Sequence, residues 1–142
     1  MEARYGYISA VGIGSGAQSL LTEQAVEAIK RADVVVGYKP YCKAINHLLD
    51  GNQKVLSSGM RSEADRCHSA IDEALKGNSV VVVSSGDAGI YGMAGLLLEL
   101  VDHRKDAQNL EVQVVPGVTA ATIAAAALGA PLMNDFAIIS LS

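Results

Sequence analysis

Apolar runs of strand length alternate along the chain with segments of helical periodicity. The alternation predicts an α/β fold, a parallel five-stranded sheet with helices on both faces. The predicted strands are 7–13, 33–36, 54–57, 80–83 and 111–115. The predicted helices are 23–32, 41–49, 62–76, 90–101 and 119–128.

Several polar residues and glycines are placed to begin or end these helices. Thr22 is a predicted N-cap, and Ser62 with Asp65 forms a capping-box pattern that opens the third helix. Gly77 follows that helix as a stop signal. The unbroken apolar run 80–83 is typical of a central strand that is buried on both faces.

The last residues predict a further strand. Residues 135–141 are rich in apolar and β-branched side chains, and they follow the Gly129 and Pro131 signals that end the last helix. We therefore expect residues 1–117 to form an N-terminal α/β domain. Residues 118–142 are expected to be an interdomain helix and the first strand of a truncated second α/β domain.

Composition and charge narrow the class of protein. Of 142 residues, 50% are hydrophobic and only 4% aromatic, so the core must be aliphatic. The net charge of -4 and the scattered Lys and Arg residues argue against a nucleic-acid partner. No apolar run reaches the roughly 18 residues of a membrane span, and the N-terminus lacks a signal-peptide pattern. We expect a cytoplasmic protein without a membrane partner.

The cysteines and histidines do not predict a metal site. Cys42 and Cys67 lie far apart without C-x-x-C spacing, and we expect buried or idle thiols. The three histidines, His47, His68 and His103, stand singly without a metal-spaced companion.

Three glycine-rich loops follow predicted strands, at Gly12–Ala17, Ser84–Gly92 and Pro116–Ala121. Ligands of open parallel sheets bind beyond the carboxyl ends of the strands, where such loops converge. The three loops together therefore predict a ligand site.

The first loop matches the G-x-G-x-x-G/A dinucleotide pattern, which is weak on its own. Two features count against a dinucleotide. The following helix begins only near Thr22, and the second strand ends in Gly37 and Tyr38 instead of an acidic residue that would hold a ribose. The residues alone leave this interpretation open.

The second and third loops each allow two interpretations. Asp87 is either a carboxylate that accepts hydrogen bonds from a ligand amine or ribose hydroxyl, or a helix N-cap. Thr119 either offers a hydroxyl to a ligand or only caps the last helix.

The segments VGIGSGAQSLLT, ADVVVGY, VVVSSGDAGIYGMAGL, VVPGVTAATIAAAALGAPL and DFAIISLS together resemble the tetrapyrrole methylase family along essentially the whole chain. The family carries a GxGPG loop, a G-D-x-x-x-Y loop and a P-G-x-[ST] turn in this order. Ser15 departs from the family pattern, in which proline is usual. Ala88 also stands where other members tend to carry proline, and segment 84–95 most resembles the members that methylate C17 of precorrin-3B or its cobalt counterpart.

The resemblance implies two α/β domains, S-adenosylmethionine as methyl donor and a small-molecule tetrapyrrole as substrate. It implies C-methylation with ring contraction in cobalamin biosynthesis, a homodimer, and no activity of this portion alone. The implied donor-binding residues are Gly86, Asp87, Ile90, Tyr91, Val118, Thr119 and Ala120. The implied substrate-binding residues are Gly14, Ser15 and Gly16. Because the implied substrate carries many carboxylates, the cations that follow strands two and three are either partners for these carboxylates or solvated surface charge; they are Lys39, Lys43 and Arg61. No catalytic residue is assigned.

Two alternatives remain. One is another methylase, either of the same pathway or of a diphthine-synthesis type that acts on protein. The other is a nonenzymatic nucleotide-binding module of flavodoxin-like topology, for which residues 135–141 should pair inside the sheet.

Overall fold

The computed structural model describes residues 5–141, so residues 1–4 and 142 of the two expected domains lie outside the described part. The strands are β1 (Tyr7–Gly12), β2 (Val34–Tyr38), β3 (Lys54–Ser58), β4 (Ser79–Ser84) and β5 (Glu111–Val115). The α-helices are α1 (Glu23–Arg31), α2 (Lys39–Ala44), α3 (Glu63–Leu75), α4 (Ala94–His103) and α5 (Ala120–Ala127). Short 3-10 helices span Gln18–Leu20, Asn46–Leu48 and Lys105–Ala107.

The five strands form one parallel sheet in the order β3-β2-β4-β1-β5. The predicted fold class is confirmed. Val11 of β1 lies opposite both Val83 of β4 and Val115 of β5, so these strands end level with one another. The loops that follow them therefore leave the sheet side by side.

Helices cover both faces of the sheet, as the central strand β4 shows. Val80 and Val82 pack into one core with α3 and α4. Val81 and Val83 pack into the opposite core with α1 and α2. All four valines are at most 2% exposed, which confirms the prediction of a strand buried on both faces.

The two predicted caps have different outcomes. Thr22 Oγ1 accepts a hydrogen bond from the backbone N–H of Ala25 at 3.0 Å, which confirms the N-cap of α1. Ser62 makes no such bond, and the capping-box prediction is wrong. Its backbone (φ -118°, ψ 27°) is not extended as an N-cap requires, and the hydroxyl instead donates to the carbonyl of Met60 at 3.5 Å.

Two predicted helices differ in extent from the observed ones. The helix expected at 90–101 begins only at Ala94. Residues 87–93 form a loop, closed by a 3.0 Å hydrogen bond from the Ala94 N–H to the Ala88 carbonyl, with Tyr91 at a positive φ of 52°. The helix expected at 41–49 is divided into α2 and a 3-10 helix, Asn46–Leu48.

Residues 135–141 form no strand, so that prediction is wrong for this structure. A strand needs backbone hydrogen bonds to a neighbouring strand. Within residues 5–141 the sheet consists of the five strands β1, β2, β3, β4 and β5, and residues 135–141 do not join it. The segment contacts Tyr91 instead: its hydroxyl donates to the Ile138 carbonyl and accepts from the Ser140 N–H, both at 3.0 Å. The flavodoxin-like alternative required residues 135–141 to pair inside the sheet, and the structure does not meet this requirement. The division into two domains stays a prediction.

Among residues 5–141, no helix combines the length and apolar character that crossing a membrane would require.

A buried carboxylate stabilises the amino-terminal edge of the sheet. Glu73 of α3 is 5% exposed, and its Oε1 accepts from the ammonium groups of Lys54 at 2.7 Å and Lys76 at 2.9 Å. Its Oε2 accepts from the side-chain amide of Asn78 at 3.0 Å. The hydrogen bonds from Lys54 and Lys76 lower the pKa of Glu73 from 4.5 to about 2. The cluster joins β3, α3 and the start of β4.

We expect Glu73→Gln to lower the free energy of unfolding at pH 7 by about 1–3 kcal/mol, since hydrogen bonds to a charged group are lost. The folded-state pKa is depressed, so the carboxylate stabilises fully above pH 4.5 and its contribution is lost as the pH falls towards 2. Urea unfolding at pH 7 and pH 3 measures the difference between the two proteins, which should shrink at pH 3.

Glu27→Gln is the matched control, because Glu27 is exposed and lies 3.9 Å from Arg31 in a surface pair. It should change stability by less than about 0.5 kcal/mol. Equal effects of the two substitutions would contradict the role given to Glu73.

Candidate functional site

The first and second glycine loops are hydrogen-bonded to each other through Gly14 and Gly86. The Gly14 N–H donates to the Gly86 carbonyl at 3.1 Å, and the Gly86 N–H donates to the Gly14 carbonyl at 2.7 Å. Both residues have positive φ, 60° and 63°, a conformation that favours glycine. The pair fixes the distance between the loops beyond β1 and β4.

The third loop approaches the first two so closely that only glycine fits at position 117. A Cβ on Gly117 would lie 2.7 Å from the carbonyl carbon and oxygen of Gly12, and nearer still to the carbonyl oxygen of Gly86. These are backbone atoms, which cannot move aside as a flexible side chain can. All three predicted loops therefore meet at one point.

Asp87 links the second loop to the third. Its Oδ1 accepts from the N–H of Gly117 and its Oδ2 accepts from the N–H of Gly89, both at 2.9 Å. The N-cap interpretation is wrong, since α4 begins seven residues later at Ala94. Because both oxygens bind backbone, Asp87 positions the two loops.

A cavity of about 520 Å³ opens where the loops meet. Most of the residues singled out from the sequence line it: Gly86, Ile90, Tyr91, Thr119 and Ala120 of the implied donor set, with Gly14 and Ser15 of the implied substrate set. Asp87, Val118 and Gly16 lie outside the lining. The structure brings members of both sets to one cavity, and the assignment of each residue to donor or substrate stays a prediction.

The lining of this cavity is neutral. Its described residues include no Lys, Arg, Asp or Glu, and one wall is the alanine-rich α5. Ser85, Ile123 and Ile138 also line it and were not singled out from the sequence. All three fall within the segments quoted for the family resemblance, and Ile138 also belongs to the segment that was expected to be a strand.

A second cavity, of about 330 Å³, lies beside the first and shares Ser85 and Tyr91 with it. Arg61, one of the three cations considered from the sequence, lines this second cavity. Lys39 and Lys43 line a separate hollow beside β3.

Both cysteines are buried, as expected. Burial raises the pKa of both thiols, that of Cys67 to about 11, so they stay protonated near neutral pH. Among residues 5–141, no group of three or more His, Cys, Asp or Glu side chains is placed to hold a metal ion.

The family model of the tetrapyrrole (corrin/porphyrin) methylases matches residues 7–142. The chain belongs to this family. Methylases of the family that have been solved share the fold: the crystal structure of the methyltransferase CobJ superposes with a TM-score of 0.90 at 38% identity, over 96% of this chain and 56% of that one.

Curated relatives agree with this assignment. A probable cobalt-factor III C(17)-methyltransferase of Salmonella typhimurium is 50% identical over 135 residues, which are 95% of this chain and 55% of the relative. A precorrin-3B C(17)-methyltransferase of Sinorhizobium is 38% identical over 138 residues, 96% of this chain and 54% of the relative. The chain thus spans about half the length of these relatives.

Gly117→Ala should separate the three loops of the candidate site and lower the free energy of unfolding by about 1–3 kcal/mol, because the new methyl group overlaps backbone atoms. Gly95→Ala is the control: a Cβ there meets nothing within 4 Å, and alanine within α4 should raise stability by up to about 1 kcal/mol. Thermal unfolding measures both. Changes of the same sign would contradict the close approach at Gly117.

Proposed function

We propose that this chain provides the S-adenosylmethionine-binding part of a tetrapyrrole C-methyltransferase. The methyl acceptor is C17 of precorrin-3B or of its cobalt-containing counterpart, with ring contraction, in cobalamin biosynthesis. The observation that carries the proposal is the neutral 520 Å³ cavity at the meeting point of three glycine loops. The names of the Salmonella and Sinorhizobium relatives support the choice of C17.

The chemistry of the cavity fits a sulfonium nucleoside better than a dinucleotide. A pyrophosphate needs cations or a helix N-terminus directly after the glycines, but α1 begins at Glu23, seven residues after Gly16. A dinucleotide site also needs an acidic residue at the carboxyl end of β2 to bind the ribose. β2 ends in Gly37 and Tyr38, whereas Asp33 precedes the strand and accepts a hydrogen bond from the Ser79 N–H at 2.8 Å. Small side chains and backbone groups suit a flat, uncharged base.

Methyl transfer from S-adenosylmethionine is an in-line displacement in which the ring carbon attacks, the new C–C bond forms and the sulfur leaves as a neutral thioether. The protein has to align the two molecules and exclude water. Gly14, Gly86 and Gly117 give the loops their shape, Asp87 holds them together, and Ile90 with α5 supplies apolar wall. The carbon nucleophile belongs to the macrocycle, so no side-chain nucleophile is required.

We further propose the cytoplasm as the location and a homodimer as the assembly, as the sequence and the family resemblance imply.

Isothermal calorimetry with S-adenosylhomocysteine tests the proposal on the complete polypeptide that carries this sequence. We expect binding, and we expect Asp87→Asn to weaken it about tenfold, because the amide group would face a backbone N–H and lose one of the two hydrogen bonds. Asp102→Asn, at an exposed position of α4, should leave the affinity unchanged. Uptake of NAD or FMN without affinity for S-adenosylhomocysteine would overturn the donor assignment.

The methylated position is tested separately, by mass spectrometry and NMR of precorrin-3B or its cobalt counterpart incubated with the same polypeptide and labelled donor. The label should appear at C17. A methyl group gained at another carbon would replace this assignment with that of another methylase of the pathway.

A further inference from the structure

The second cavity, of about 330 Å³, holds a deeply buried cation. It lies between the carboxyl ends of β2 and β4 and the N-terminus of α3, and Arg66 of α3 lines it while being only 7% exposed. Arginine is seldom buried to this extent without a charged partner. Glu63, the carboxylate near it, is more than half exposed and lies 3.7 Å from Nη2, which is longer than a hydrogen bond.

The other end of the guanidinium is held in place by neutral acceptors. Arg66 Nη1 donates to Ser58 Oγ at 3.0 Å and to the Gly59 carbonyl at 2.8 Å, and its central carbon lies 5.9 Å from the centre of the Tyr38 ring. These contacts fix the plane of the guanidinium without neutralising its charge. An anion in the cavity would supply the missing charge.

Backbone strain is concentrated at the same cavity. In the described part of the chain, the non-glycine residues with positive φ are Arg61, at 60°, and Tyr91, at 52°, and both line this cavity. A side chain in this conformation costs about 1 kcal/mol or more, and such strain is retained mainly where function requires it. Arg61 also brings a second cation, so the two arginines outnumber the single carboxylate of Glu63.

The other residues that line the second cavity suit an alkyl chain. Met60, Met93 and Leu96 supply apolar surface, while Tyr41 accepts a hydrogen bond from Ser85 at 3.1 Å and keeps its own proton to donate. Ser85 and Tyr91 belong to both cavities, so a group bound here lies next to the proposed donor site.

We propose that this cavity binds one carboxylate-bearing side chain of the macrocycle, with Arg66 and Arg61 as the residues that recognise the carboxylate. The inference rests on the proposed function and adds to it a specificity site within this chain. The carboxylate would take the place beside Arg66 Nη2 that Glu63 only approaches, and its alkyl stem would contact the methionines. This arrangement fixes one edge of the macrocycle next to the methyl donor.

The test measures the affinity of the complete polypeptide for uroporphyrin, a stable octacarboxylate porphyrin, by fluorescence titration, and for S-adenosylhomocysteine by calorimetry. Arg61→Gly removes a cation and relieves the positive φ, so the protein should stay folded while uroporphyrin binding weakens about tenfold. Arg66→Lys keeps the charge but loses the planar fork, and should weaken uroporphyrin binding about tenfold or more. Arg31→Gln, an exposed cation on α1, is the matched control and should change neither affinity.

The affinity for S-adenosylhomocysteine should stay within about twofold in all three variants, because the arginines lie outside the donor cavity. Uroporphyrin binding unchanged in both Arg61→Gly and Arg66→Lys, with normal S-adenosylhomocysteine binding, would overturn the carboxylate site alone. If the unaltered protein does not bind S-adenosylhomocysteine, the proposed function itself is overturned. If Arg66→Lys fails to fold, the uroporphyrin affinity of Arg61→Gly alone tests the carboxylate site.

Discussion

The site depends on the close approach of three backbone segments that no side chain separates. Gly14 and Gly86 exchange two hydrogen bonds, and Gly117 lies against the carbonyl groups of Gly12 and Gly86. The carboxylate of Asp87 then accepts N–H groups from two of the three loops. Because these contacts involve backbone, they fix the shape of the cavity while leaving its lining free of charge. The result is a neutral cavity of fixed shape.

The parallel sheet makes this approach possible. β1, β4 and β5 are neighbours that end level with one another, so their loops leave the sheet within hydrogen-bonding distance. β2 and β3 lie on the other side of β4, and the second cavity lies among the residues that follow β2, β3 and β4. The order of the strands thus places a neutral cavity beside a cationic one. The buried valines on both faces of β4 pack into the two cores and so hold the central strand between the two cavities in place.

The sequence was enough to predict the sheet, its buried central strand and the meeting of the glycine loops, since these follow from apolar periodicity and from glycine at strand ends. It was not enough for contacts that depend on tertiary structure. Asp87 has the spacing of an N-cap, but its partners are 2 and 30 residues away. Arg66 looks like an ordinary polar position of an amphipathic helix, and its burial becomes visible only when β2 and the loop after β3 are in place. Residues 135–141 have strand composition, yet composition cannot supply a neighbouring strand.

Tyr91 connects the two cavities to the chain beyond α5. Its ring borders both cavities, and its hydroxyl is bonded to the backbone at Ile138 and Ser140. A ligand that rotates this ring must break both hydrogen bonds, at a cost of about 1–3 kcal/mol. For a ligand that rotates the ring, thermodynamic linkage makes the effect reciprocal: fixing residues 138–140 in place would weaken the binding of that ligand by the same free energy by which the ligand would destabilise the segment.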